Sequence, residues 1–294
     1  ILSNYLKLTK DAKNGKSKIG NIVETNGAQH TYIAPTITPF GAIDQLCKRS
    51  VYKNNKPDFL FFENSDGYHF VPLSQLLMQQ PFYEINCRPK NIEENLKDEL
   101  LGARKFKVIS QSNVAENIKN GSIAGKFVGF DTLTRTIQTM VYTPDKIYGD
   151  GASDKNIELN NINVLGKTPD KMADSRIVTY PFALPRTQAN YVNDNHKITA
   201  NIIDNTHEYV FHRRALIGNL AQKRIKLVLP GNFGLKAGMA VNLLMPKYSI
   251  NTNEDDSGLD KSLSGKYIIL ATRHIIRSDK HETIVEVATT SAGK

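Results

Sequence analysis

The feature that most constrains this chain is a period-two pattern close to its C-terminus. In KRIKLVLP, Ile225, Leu227 and Leu229 fall on one side of an extended backbone, and Arg224, Lys226 and Val228 on the other. In HETIVEVATTS, Thr283, Val285 and Val287 alternate with Ile284, Glu286 and Ala288. Successive side chains of a strand point to opposite faces, so this alternation predicts strands that bury one face more than the other. MAVNLLMP and GKYIILATRHIIRS read as two further strands, and GNFGLKAG as a Gly-punctuated turn. A helix over THEYVFHRRALIGNLAQ precedes them, with Asn205 able to cap it and Glu208 able to reach back. Four strands and one packed helix predict a small antiparallel β-domain over Thr206–Ser291. They do not predict an enzyme cleft.

Upstream, TPFGAIDQLCKRSV places Phe40, Ile43, Leu46 and Cys47 on one helical face, and Thr38 with Pro39 reads as the helix start. DFLFFEN and YHFVPL read as strands joined through Ser65-Asp66-Gly67, followed by a short helix in SQLLMQQ that Pro81 ends. NIEENLKDELL has helical spacing. KFKVIS reads as a strand or as a helical continuation, SNVAENIKNG as a short helix stopping at Gly121, and IAGKFVGFDTLTRTIQTMVYT as a hairpin. Residues 145–176 show little periodicity, which marks an interaction loop or a linker. RIVTYPFALPRTQANYV reads as an extended crossing between domains. Asn26-Gly27 is a turn, and the lysine-rich opening reads as a linker or the tail of something preceding.

Composition excludes some classes. No apolar run approaches the roughly 20 residues of a membrane helix. Cys47 and Cys87 are too few for a disulfide framework and fit a reducing cytoplasm, with a secreted protein carrying one disulfide as the alternative. The net charge of +9 either attracts nucleic acid or another polyanion, or reflects a lysine-rich surface. Basic residues are spread without aromatic interleaving, which favours the second reading.

The chemical motifs are negative. Among His30, His69, His196, His207, His212, His274 and His281 there is no HExxH, and His207 and His212 are five apart, not four. His274 sits in an otherwise apolar strand, as a satisfied structural histidine would. Gly231, Gly234 and Gly238 lack the lysine and hydroxyl of a phosphate loop and precede a strand, so they read as turn glycines. The acidic loop of Glu254, Asp255, Asp256 and Asp260 has Lys266 where a calcium loop counted from Asp255 needs glutamate. There is no G-x-S-x-G, and the Glu93–Glu94 pair reads as an exposed helix face. No catalytic, cofactor or metal site is expected, and the chain is expected not to be an enzyme.

The residues do carry a resemblance. R-I-K-L-x-x-P-G (224–231), G-L-x-A-G (234–238), an apolar strand, an acidic loop, L-S-G-K-Y (263–267) and a closing strand resemble, in order and spacing, the C-terminal part of baseplate hub proteins of contractile-tailed, T-even-like bacteriophages. Residues 18–80 resemble the same family further upstream, so about half the chain is covered. Residues 90–180 do not match.

This resemblance implies an α+β, β-rich fold: a tail-tube-like antiparallel β-barrel domain plus an α+β middle domain. The expected organisation is 1–34 as a linker or the end of a preceding barrel, 35–180 as the middle domain and 181–294 as the barrel. The implied function is a structural virion protein, the central baseplate hub connecting the tail tube to the central spike and lining the DNA channel. The implied partners are two further copies in a homotrimer, the tail tube protein above, the spike protein below and other baseplate proteins. DNA would be met only in transit, with no stable membrane insertion. The implied location is the virion tail baseplate, after assembly in the host cytoplasm. The companion barrel of such a hub would lie mostly before Ile1. Lys223, Arg224 and Lys226 are the candidate channel- or interface-facing residues, with a solvated strand face as the alternative. A spike-hub of a contractile injection or secretion system and a basic nucleic-acid-binding protein are the competing functions.

Overall fold

A computed structural model of the chain describes residues 2, 19–25, 36–52, 57–87, 102–110, 119, 121, 124–131, 135–143, 173–181, 206–220, 223–247, 258–260 and 262–289. The expected helix over 91–101, all of the expected helix over 112–121 except Lys119 and Gly121, all of the expected loop 145–176 except 173–176, Asn205 and the acidic residues Glu254, Asp255 and Asp256 lie outside these residues. The chain forms two compact units, each assembled from separated segments. Unit one takes Ile1–Val23, Leu60–Ser112 and Asn219–Lys294; unit two takes Glu24–Phe59 and Asn113–Gly218.

Unit one is built on a six-stranded sheet. Its strands are β4 (Tyr83–Asn86), β5 (Lys105–Ser110), β9 (Lys223–Pro230), β10 (Ala240–Leu244), β11 (Gly265–Ile276) and β12 (His281–Thr289), in the spatial order β4-β10-β11-β12-β9-β5. All neighbours are antiparallel except β4 with β10. The sheet curls, and its two outer segments meet at a bridge between Asn86 and Gly102, where the Ala103 amide donates to the Asn86 carbonyl at 2.8 Å. The inner face holds Ile85, Ile225, Leu227, Leu229, Val241, Leu243, Tyr267, Ile269, Val285 and Val287, all buried. This is the alternation read from β9 and β12. At roughly 1.5–3 kcal/mol for each large apolar side chain taken out of water, these residues are the main stabilising term of the unit. Two of the six strands, β4 and β5, come from chain before residue 181, outside the stretch expected to form the barrel.

A second sheet of unit one joins β1 (Ile19–Ile22), β3 (Gly67–Pro72) and β2 (Phe59–Asn64), with β1 parallel to β3. Gly67, at φ 126°, makes the β2–β3 turn that Ser65-Asp66-Gly67 predicts. With α2 (Leu73–Met78), this layer supplies Val71, Leu73 and Leu76, which bury Ile268 and Ala288 on the outer face of the large sheet. Asn64 donates to the Ala237 carbonyl at 3.0 Å, and Lys236 pairs with Asp66 at 2.7 Å.

Unit two contains α1 (Pro39–Arg49), a three-stranded sheet and most of α3 (Thr206–Leu220). Thr38 caps α1 by accepting from the Gly41 amide at 3.2 Å, with Pro39 at the first helical position. Ala42, Ile43 and Cys47 are buried, whereas Phe40, placed on that face by helical spacing, is 48% exposed. The sheet orders β7 (Thr136–Tyr142), β6 (Gly125–Asp131) and β8 (Ile177–Pro181), the first pair antiparallel as the hairpin pattern predicts and the second parallel. Its inner face packs Phe127 and Tyr142 against Phe211, Ala215 and Leu216. Arg213, partly buried, donates to the carbonyls of Cys47, Pro57 and Phe59 at 3.0, 3.3 and 2.9 Å, which replaces lost water around that cation.

Candidate functional site

The three basic residues singled out in the sequence have three different environments. Lys223 donates to the Ser262 carbonyl at 3.0 Å. Arg224 bonds Glu286 through Nε at 2.7 Å and through a second guanidinium nitrogen. Lys226 is exposed, on the face opposite Leu227. The candidates thus divide into an anchored pair and a lysine with no ion-pair partner among the described residues.

The sheet register brings further cations beside Lys226. β5 runs antiparallel to β9, with Lys105 opposite Val228 and Lys107 opposite Lys226. Directly opposite residues share a face, so Lys105 and Lys107 stand with Lys226 on the outside of the curled sheet. Two strands over, Arg273 is opposite Ile284, itself opposite Val228, and therefore belongs to the same face. Lys105, Lys107, Lys226 and Arg273 are all exposed, and among the described residues none of them is ion-paired. Of the acids on the outside of the sheet, Glu286 is engaged by Arg224 and Glu282 by Arg104 at 3.9 Å and Lys280 at 3.3 Å, while Glu84 stands exposed on β4. Two lysines in direct cross-strand register repel, which costs the fold up to about 1 kcal/mol. Such a face fits an anionic surface. Sequence reading missed Lys105, Lys107 and Arg273. The signal K-F-K at 105–107, two lysines on one side of a strand, was visible, but its pairing with β9 across more than 100 residues was not.

The 231–239 loop closes one end of the curled sheet. Leu235 drops into the core, and Gly238, at φ 88°, passes so near Phe62 that a Cβ would collide with its ring. The three glycines are thus turn and close-approach residues, as expected. At the same end His274 and Thr283 face each other across β11 and β12, with His274 Nδ1 3.0 Å from Thr283 Oγ1 and 3.4 Å from His281 Nε2. Burial, then the neighbouring His281, holds the proton affinity of His274 below its usual value. Both cysteines are free and buried, and burial pushes the Cys47 thiol up to about 11 and the Cys87 thiol to about 12. They are protonated and unreactive at neutral pH. Among the described residues, no helix is long and apolar enough to cross a membrane.

No family model matches the chain, and no curated protein matches it. Among solved structures the chain is similar to the tail protein from Neisseria meningitidis MC58, at 9% identity and a TM-score of 0.45, covering 91% of this chain and 60% of that one. It is also similar to the 43 kDa tail protein of prophage MuSo2 from Shewanella oneidensis, at 10% identity and a TM-score of 0.44, covering 93% of this chain and 61% of that one. The chain spans about three fifths of the length of these two structures.

Proposed function

We propose that this chain is a structural component of a contractile tail, a central baseplate hub that joins tail tube to spike and borders the DNA channel. The observation that carries this reading is that the motifs behind the sequence resemblance are working parts of one curled sheet. R-I-K-L-x-x-P-G is β9 with its exit. G-L-x-A-G is the loop that plugs the sheet with Leu235 and turns at Gly238. L-S-G-K-Y positions Ser264, which accepts from the Met245 amide at 3.0 Å, Gly265 at φ 135° and the buried Tyr267 at the start of β11. The role is assembly, through a trimer that has tail tube protein on one side and spike on the other, and it calls for no catalysis or cofactor. Mass photometry of the purified chain at micromolar concentration tests it. Particles near three times 32.9 kDa are expected, and a stable monomer contradicts the reading.

The lysines of this face, none of them ion-paired among the described residues, support the channel-bordering part of the role, because cations on a surface held near DNA strengthen its contact with phosphate. They also favour a second reading, a protein whose function is to hold nucleic acid. A DNA titration at two salt concentrations separates them. Tight binding with a steep salt dependence supports the second reading, and weak contacts support transit.

A further inference from the structure

We propose that His274 and His281 form a two-imidazole site for a divalent transition-metal ion of the zinc, nickel or copper class, at the loop-closed end of the curled sheet. The nitrogens converge at the spacing such an ion imposes. His281 Nε2 is 3.4 Å from His274 Nδ1, and two imidazoles bound at about 2.0–2.1 Å to one tetrahedral zinc stand about 3.4 Å apart. As a hydrogen bond that distance is long, beyond the usual range of about 2.7–3.2 Å. The Nδ1 acceptor is moreover already faced by the Thr283 hydroxyl at 3.0 Å. A cation between the rings would take that lone pair in place of the Thr283 hydroxyl and would engage His281 Nε2 as well.

The two rings are held in place by their surroundings. His274 is fixed opposite Thr283 by the β11–β12 register, and Thr283 Oγ1 accepts from the Asn232 amide at 2.9 Å. The His281 carbonyl accepts from Gly231 at 2.9 Å, and its ring lies where any side chain at residue 231 would stand. Phe233 covers both rings, with centroids 4.9 Å from His274 and 4.5 Å from His281. No group of three or more His, Cys, Asp and Glu side chains among the described residues is arranged for a metal. With no further ligand among the described residues, the remaining positions are left to water, and the ion exchanges readily, unlike one in a closed structural site.

The experiment is titration of the metal-free chain with Zn²⁺ alone and Ni²⁺ alone, read by calorimetry and by the imidazole proton resonances. One equivalent with micromolar affinity is expected, broadening or shifting the resonances of His274 and His281. His281→Gln and His274→Gln should each weaken it by about tenfold or more, because one imidazole cannot chelate. Phe233→Ala keeps both ligands, so retained binding in that variant shows that the loss follows the imidazoles and not a collapsed loop. No saturable binding, or binding unchanged in the two histidine variants, overturns the proposal.

Discussion

The large sheet of unit one and the small sheet of unit two cover their apolar faces by different means. The six-stranded sheet curls over itself, so Ile225, Leu227, Leu229, Val285 and Val287 are fully buried by one another, while its outer face carries Lys105, Lys107, Lys226 and Arg273. The three-stranded sheet borrows a helix. Phe211, Ala215 and Leu216 of α3 bury Phe127 on its inner face. Its outer face leaves Phe130, Ile137 and Ile177 at 40%, 69% and 51% exposure, with Phe130 directly opposite Ile137. Self-coverage makes one face obligatory and leaves the other free to carry charge. Borrowed coverage leaves the sheet dependent on one helix.

The largest expected effect tests self-coverage. Leu227→Ala should cost about 2–5 kcal/mol, because the rigid curl cannot collapse into the space left behind. Ile137→Ala should stay within about 0.5 kcal/mol. Urea unfolding followed by far-ultraviolet circular dichroism measures both, and equal losses would remove the distinction drawn between the sheets. Next is Arg213→Met, which strips three carbonyls of their donor in unit two. A loss of about 3 kcal/mol is expected in the same assay, with hydrogen exchange rising at Cys47 and Phe59.

A smaller effect depends on pH. His69 accepts from the Asn21 amide through Nδ1 at 3.1 Å, and its Nε2 is 2.9 Å from Asn64 Oδ1, an arrangement that suits the neutral ring. Burial holds its proton affinity below the usual 6.5. The unfolded chain then binds the proton first on acidification. Stability is therefore full above about pH 6.5 and falls as pH drops below it. His274, lowered in the same direction, adds to this loss. Thermal melting of the chain from pH 8 to pH 5 should show the decline, and His69→Gln should reduce it. A flat profile would contradict the neutral assignment. The smallest effect has the opposite sign. Lys107→Glu, placed opposite Lys226, should stabilise the fold by roughly 0.2–1 kcal/mol while weakening attachment to an anionic partner. Destabilisation by this change would mean that the face is not repulsive.

Where a sheet covers itself, its sequence was easiest to read. β9 and β12 were visible because inward apolar and outward charged residues alternate without interruption. Ser65-Asp66-Gly67 and Gly238 were visible because a positive φ demands glycine. β4 was hidden by its length of four residues and by its parallel partner β10, which lies more than 150 positions away. The outward face of β6 and β7 was harder to interpret, since Phe130 and Ile137 look like core residues in sequence and are exposed in the fold. The basic face needed both the β5–β9 register and the knowledge that Glu282 and Glu286 are already engaged. The histidine pair needed the irregular register between Ile269 and Ala271, which sets the side to which His274 turns. Long-range pairing, not local propensity, separates the readable half of the molecule from the rest.

Electron cryomicroscopy of the assembled particle tests the central claim most directly. The account predicts the curled six-stranded sheet of this chain repeated three times around the tail axis, between tube and spike. Density for the chain away from that axis, or its absence from the particle, would contradict it.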